Sequence, residues 1–104
     1  YDVVILDPPA FTKTRSAVEG ALRGYKEINL RGMKLTRDGG FFITCSCSQH
    51  VTPDLFRWML LEAQKDAHVQ LRQIEWRTQG RDHPILLASP ETQYLKCGIF
   101  QVFK

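Results

Sequence analysis

Two short apolar runs, each stopped by chemically reactive residues, constrain this chain more than any other feature. Tyr1-Asp2-Val3-Val4-Ile5-Leu6 ends in Asp7-Pro8-Pro9-Ala10-Phe11, and Phe41-Phe42-Ile43 runs into Thr44-Cys45-Ser46-Cys47-Ser48-Gln49. Short apolar runs bounded by turn residues read as strands of a parallel sheet. Open α/β sheets place their sites at the carboxyl ends of such strands. A carboxylate at one strand end and thiols and hydroxyls at the other therefore predict one site on one sheet edge.

The remaining periodicities fill in the elements. The first strand is predicted over residues 2–6, apolar on both faces as in a sheet covered on both sides, and stopped by Pro8 and Pro9. Ser16-Ala17-Val18-Glu19 has the Ser-x-x-Glu form of a capping box and predicts a helix start. Val18, Ala21, Leu22, Tyr25, Ile28 and Leu35 keep close to helical spacing up to Arg37, and Gly39-Gly40 ends the helix. Gly20, Gly24 and Gly32 each weaken it by up to about 1 kcal/mol relative to Ala. Gly20 and Gly24 share a face, which points to close packing or a break at the helix start. The second strand runs from Phe41 to Cys45.

Thr52-Pro53 is an N-cap followed by a first-turn proline. Leu55, Phe56, Met59, Leu60, Ala63 and Ala67 line one face of a helix over 53–67. Val69 and Leu71, then Ile74 and Trp76, alternate but slip phase at Arg72-Gln73, which predicts a bulged third strand. Residues 77–93, with Pro84 and Pro90, form a long connection of the kind that is usually functional or mobile. Tyr94 to Phe103 reads as the final strand. The order is β-α-β-α-β-β, an α/β sheet with the last strand antiparallel.

With 104 residues, the chain can build one core but is smaller than most α/β enzymes. It opens directly on an apolar strand, so it is expected to be the back part of a longer protein. No apolar run approaches the roughly 20 residues that span a bilayer, and no signal peptide is visible. Three cysteines, two of them one residue apart, make a poor disulfide framework and point to a reducing cytoplasm. A net charge of +3 and a pI near 8.9 permit a nucleic-acid partner without requiring one.

The reactive residues carry more information. A thiol attacks as thiolate, and with an ordinary pKa of about 8.5 it needs a helix N-terminus or a cation nearby. The helix capped by Thr52 starts a few residues after Cys47. In a continuous strand Cys45 and Cys47 would share a face, so they can differ in role only if the strand ends between them. Both could equally be small core residues. Cys45, Cys47, His50 and Cys97 lack any standard zinc spacing, and no Ser-His-Asp arrangement can be assigned.

Asp7, held by two prolines, is rigidly aimed and suited to accept from an amino group or a protonated ring nitrogen. Phe11 could stack on a base. Otherwise the pair is a turn-forming Asp-Pro and a core Phe. Arg15, Arg23, Lys26, Arg31, Lys34 and Arg37 put positive charge on or before the first helix, a possible phosphate-contacting face, diluted by Glu19, Glu27 and Asp38.

Asp7-Pro8-Pro9-Ala10-Phe11 resembles the fourth motif of class I S-adenosylmethionine-dependent methyltransferases. Thr44-Cys45-Ser46-Cys47-Ser48 resembles the sixth motif of RNA cytosine-C5 methyltransferases. With Arg23-Gly24-Tyr25-Lys26-Glu27-Ile28-Asn29, Asp82-His83-Pro84 and Tyr94-Leu95-Lys96, the chain resembles the bacterial large-subunit ribosomal RNA cytosine-C5 methyltransferase I family. The likeness covers nearly the whole chain but only the C-terminal half of that family's Rossmann-like catalytic domain. The cofactor-binding N-terminal half and the RNA-binding domain would lie outside it.

The resemblance implies Cys47 as nucleophile, with Asp7 binding the cytosine edge and stabilising the adduct. It implies substrate contacts from Pro8, Pro9, Phe11, Ser46 and Ser48, and cofactor contacts from Asp7 and Pro8. S-adenosylmethionine would be the cofactor, ribosomal RNA the partner, and no metal is involved. Pro9 stands where many RNA cytosine-C5 enzymes carry a further cysteine, so the group that removes the C5 proton is not identified. His83 falls near the rim of the site.

There is no Gly-x-Gly in the chain. On its own it is expected to bind S-adenosylmethionine weakly, to be inactive, and to self-associate through its unpaired first strand. Two other readings stay open: a methyltransferase acting on an exocyclic amino group, with Cys47 structural, and a non-catalytic RNA- or protein-binding remnant.

Overall fold

The computed structural model describes residues 1–9, 17–80, 84–89 and 94–104. Among them, four strands and two helices follow one another as β1 (Val3–Leu6), α1 (Val18–Leu35), β2 (Phe41–Ser46), α2 (Pro53–Ala67), β3 (Gln70–Arg77) and β4 (Lys96–Phe103). The sheet order is β1-β2-β4-β3. β1 and β2 are parallel, with Leu6 opposite Thr44. β4 is antiparallel to both of its neighbours, pairing Cys45 with Cys97 and Ser46 with Lys96 on one side, and β3 on the other. This is the expected α/β sheet with an antiparallel last strand.

The sequence periods are realised with small changes. The phase slip in β3 is a register shift between Gln73 and Glu75. Thr52 caps α2 by accepting from the Leu55 amide, with Pro53 in the first turn. α2 ends on His68 in the left-handed region, whose amide reaches back to the last turn. α1 starts at Val18 after Ala17, with no side-chain cap bond; the proposed cap Ser16 lies outside the described residues. It ends at Leu35, two residues short of Arg37, because the backbone turns extended at Thr36, whose amide and hydroxyl still reach the Gly32 carbonyl.

The glycine contact falls elsewhere than expected. A Cβ at Gly20 would meet only the Arg23 guanidinium, at 3.9 Å, and α1 passes this residue unbroken. At Gly32 a Cβ would come within 2.6 Å of the Phe42 ring and 2.9 Å of Leu6. Gly32 is where α1 lies against β1 and β2.

Both helices pack on the same side of the sheet, where Tyr25, Met33, Phe42, Phe56, Met59, Phe100 and Val102 form one core. Phe56 meets Tyr25 edge to face, and the Arg57 guanidinium sits over the Trp76 ring. β1 therefore corrects the expectation of burial on both faces. Val4 and Leu6 turn toward the core, whereas Val3 and Ile5 are 50% and 63% exposed. With α1 and α2 on one side, the alternation of the strand sends every second side chain to the open face.

Candidate active site

The parallel pairing of β1 and β2 determines where the reactive residues meet. Asp7 follows the last residue of β1 and Cys47 follows the last residue of β2, so both emerge at the same sheet edge. Both residues are exposed, and Pro8 is half-buried beside Asp7. The strand ends at Ser46, between the two thiols of interest. Cys45 is thus a strand residue and Cys47 a loop residue, which separates two cysteines that look equivalent in sequence.

No cysteine is in a disulfide. The Cys45 thiol lies against Cys97 across the strands, Sγ to Sγ 2.9 Å. Burial first, then the bond to Cys97 and the negative charges of Cys97, Asp7 and Cys47, push the Cys45 thiol up to about 12. Cys45 stays protonated through the neutral range. The influence of Asp7 and Cys47 on it also ties the three residues to one neighbourhood.

Beneath this edge the core is polar. Thr44 donates to Asn29 Oδ1, and Asn29 Nδ2 donates to the Tyr25 carbonyl at 2.7 Å. The Ser46 hydroxyl bonds Tyr25 OH at 3.0 Å. These bonds fasten the carboxyl end of β2 to α1 and leave the buried hydroxyls partnered. Ser46 and Ser48 are both buried, so they support the loop from below. Ser48 Oγ has no hydrogen-bond partner among the described residues.

Sequence reasoning named Lys96 only within Tyr94-Leu95-Lys96 and gave it no role. It is the first residue of β4, opposite Ser46, and its side chain is fully buried. Its ammonium donates to the carbonyl of Ser48 at 2.6 Å and of Tyr94 at 2.8 Å. Burial lowers its pKa to about 8, opposed by the charge of Cys47. Besides that motif, the signal was a lysine at the head of an alternating apolar strand, a position that normally holds an apolar residue.

Phe11, Arg15, Asp82 and His83 lie outside the described residues. The basic face of α1 is partly consumed internally: Lys26 pairs with Asp66, Arg31 with Glu27 and Arg37 with Asp2. Two surface grooves, one bounded by Arg57, Leu60 and Leu71 and one by Leu22, Arg23 and Trp58, include neither Asp7 nor Cys47. Asp7 and Cys47 are brought to one edge by the ends of two parallel strands. No group of three or more His, Cys, Asp or Glu side chains among the described residues could hold a metal ion. No helix among them is long and apolar enough to cross a membrane.

No protein-family model matches the chain. It is similar to ribosomal RNA large subunit methyltransferase I of Shewanella frigidimarina, with 45% identity over 103 residues, 99% of this chain and 26% of that protein. The protein of the same name from Cronobacter sakazakii is 42% identical over 96 residues, 92% of this chain and 24% of its own length. Among solved structures, SMU.776, described as a candidate methyltransferase complexed with SAH, superposes with a TM-score of 0.80 at 17% identity. That match covers 97% of this chain and 26% of SMU.776. The chain spans about a quarter of the length of the relatives it matches, and its fold is that of a partial Rossmann-like domain.

Proposed function

We propose that this chain is the C-terminal portion of the catalytic domain of an S-adenosylmethionine-dependent RNA methyltransferase that methylates C5 of a cytosine in large-subunit ribosomal RNA. The observation that carries the reading is the exposed Cys47 beyond β2 beside the exposed Asp7 beyond β1. The names of relatives at 42% and 45% identity support the substrate class. A cytoplasmic location follows from that substrate.

In this reading the Cys47 thiolate adds to C6 of a flipped-out cytosine, forming a C6–S bond and moving electron density to C5. Asp7 binds the N3/N4 edge and holds the adduct, with Pro8 and Pro9 fixing its direction. S-adenosylmethionine, when bound, supplies the electrophilic methyl group for C5. C5 then gives up its proton to a base, the C6–S bond breaks and the thiolate returns. Asp7 and Pro8 offer a carboxylate and a rigid wall at a strand end, which fits one side of the cofactor site. The Gly-rich approach to the remainder of that site is not in this sequence.

The test is adduct trapping. RNA containing 5-fluorocytidine cannot lose the C5 substituent as a proton, so a covalent complex should persist on denaturing gels with the full-length protein. It should vanish in Cys47→Ser and remain in Cys45→Ser. Methyl transfer that proceeds unchanged in Cys47→Ser would refute the cysteine mechanism.

A further inference from the structure

We propose that Lys96 is the positioning residue for Cys47: its buried ammonium holds the Ser48 carbonyl and places a cation behind the reactive loop. The inference rests on the functional reading above but depends on different observations. A lysine with 0% exposure is costly to bury unless its charge is compensated, and among the described residues no carboxylate pairs with Lys96. Its compensation is two main-chain carbonyls, Ser48 and Tyr94. An ammonium has three N–H groups, so one donor remains.

The place of the bond is what makes it functional. Ser48 is the residue after Cys47, and β2 has ended one residue before the cysteine. The loop's other described bonds are longer: Ser48 N to Ser46 Oγ at 3.4 Å and Val51 N to the Ser48 carbonyl at 3.3 Å. At 2.6 Å the Lys96 bond is the shortest restraint on this loop among the described residues. It reaches across from β4, a strand whose register is locked to β2 from Phe41 to Ser46. Lys96 therefore refers the position of Cys47 to the centre of the sheet, where a loop alone would leave it to drift.

The experiment uses the full-length protein with Lys96→Met and Lys96→Gln, each checked by thermal unfolding. The Lys96→Gln variant keeps a side-chain donor for the Ser48 carbonyl and decides the matter if the Met variant does not fold. Two readouts are taken: kinetics of methyl transfer to ribosomal RNA, and the rate of Cys47 alkylation by iodoacetamide followed by peptide mass spectrometry. A displaced nucleophile should cost Lys96→Met about a hundredfold in kcat with KM little changed, and Lys96→Gln less. Cys47 alkylation should change severalfold as the loop shifts, while that of Cys97 stays the same.

If the wild type shows no cytosine-C5 methylation yet Lys96→Met still changes Cys47 alkylation, the functional reading falls and the positioning role stands. Folded variants with unaltered alkylation of Cys47 would overturn the role of Lys96, whatever the protein's substrate.

Discussion

Cys45 and Cys97 face each other across β2 and β4 with their sulfurs 2.9 Å apart, and Cys45 lies two residues before the exposed Cys47. The contact divides the cysteines chemically. Burial and its neighbours push Cys45 up to about 12, so it keeps its proton where Cys47 is expected to work. At pH 8 iodoacetamide should label Cys47 at least about tenfold faster than Cys45, because the thiolate is the reactive form. Tryptic mapping of labelled protein checks this, and equal labelling of the two would contradict it.

The same shift has a sign for stability. Cys45 holds its proton more tightly when folded, from an ordinary 9.0 to about 12. Its contribution is fully present below pH 9 and is lost as pH rises toward 12. Lys96 is the opposite case, a base lowered from 10.5 to about 8. Its folded form sheds the proton first, so stability gained from this group rises as pH goes from 8 to 10.5. Urea unfolding of the wild type against Lys96→Met should show the difference moving in the wild type's favour between pH 7.5 and 9.5. Subtracting the variant cancels the contribution of Cys45.

Two glycines in one helix should respond with opposite signs. Gly32→Ala places a methyl 2.6 Å from Phe42 and 2.9 Å from Leu6, and overpacking of this kind costs about 1–3 kcal/mol. Gly20→Ala meets nothing closer than 3.9 Å and should gain up to about 1 kcal/mol from helix propensity. Chemical denaturation of both variants provides the comparison.

Removing the Tyr25 hydroxyl should loosen the end of β2. Tyr25→Phe takes away the acceptor of the buried Ser46 hydroxyl, a loss of about 1–3 kcal/mol for a buried donor left unsatisfied. Chemical denaturation of Tyr25→Phe measures that cost. Faster hydrogen exchange at Cys47 and Ser48 would accompany it if the Ser46–Tyr25 bond steadies the loop.

The 104-residue chain by itself should bind S-adenosylmethionine weakly or not at all; low-micromolar binding by calorimetry would contradict the reading that most of the cofactor site lies elsewhere. The open sheet face with Val3, Ile5 and Phe41 should make the chain self-associate. Ile5→Lys should then move sedimentation toward the monomer.

Much of this architecture can be read from residue types. Thr52-Pro53 and the apolar stripe of α2 are local signals, and local chemistry decides them. The β3 bulge is visible because alternation changes phase at Arg72-Gln73. The separation of Cys45 from Cys47 is legible only in part, since it requires β2 to end between them, and β2 ends at Ser46. The one-sided coverage of β1 is not legible in the same way, since Val3 and Ile5 have the same composition whether or not a layer covers them. Lys96 was hidden for a related reason. Its role depends on Ser48, 48 residues earlier, and no local pattern records a bond of that sequence separation. Ser46 likewise reads as a site residue until Tyr25 on α1 is placed beside it.

The strand order β1-β2-β4-β3 carries a consequence for the order of events during synthesis. β4 is made after β3 yet slots between β3 and β2, so the sheet cannot close progressively as the chain emerges. Until Lys96–Phe103 arrive, β2 has a vacant side and the Ser48 carbonyl waits for its lysine. Pairing across such a span is slow and leaves an apolar edge open meanwhile. Until β4 has docked, Cys47 lacks the restraint that Lys96 places on the neighbouring Ser48 carbonyl.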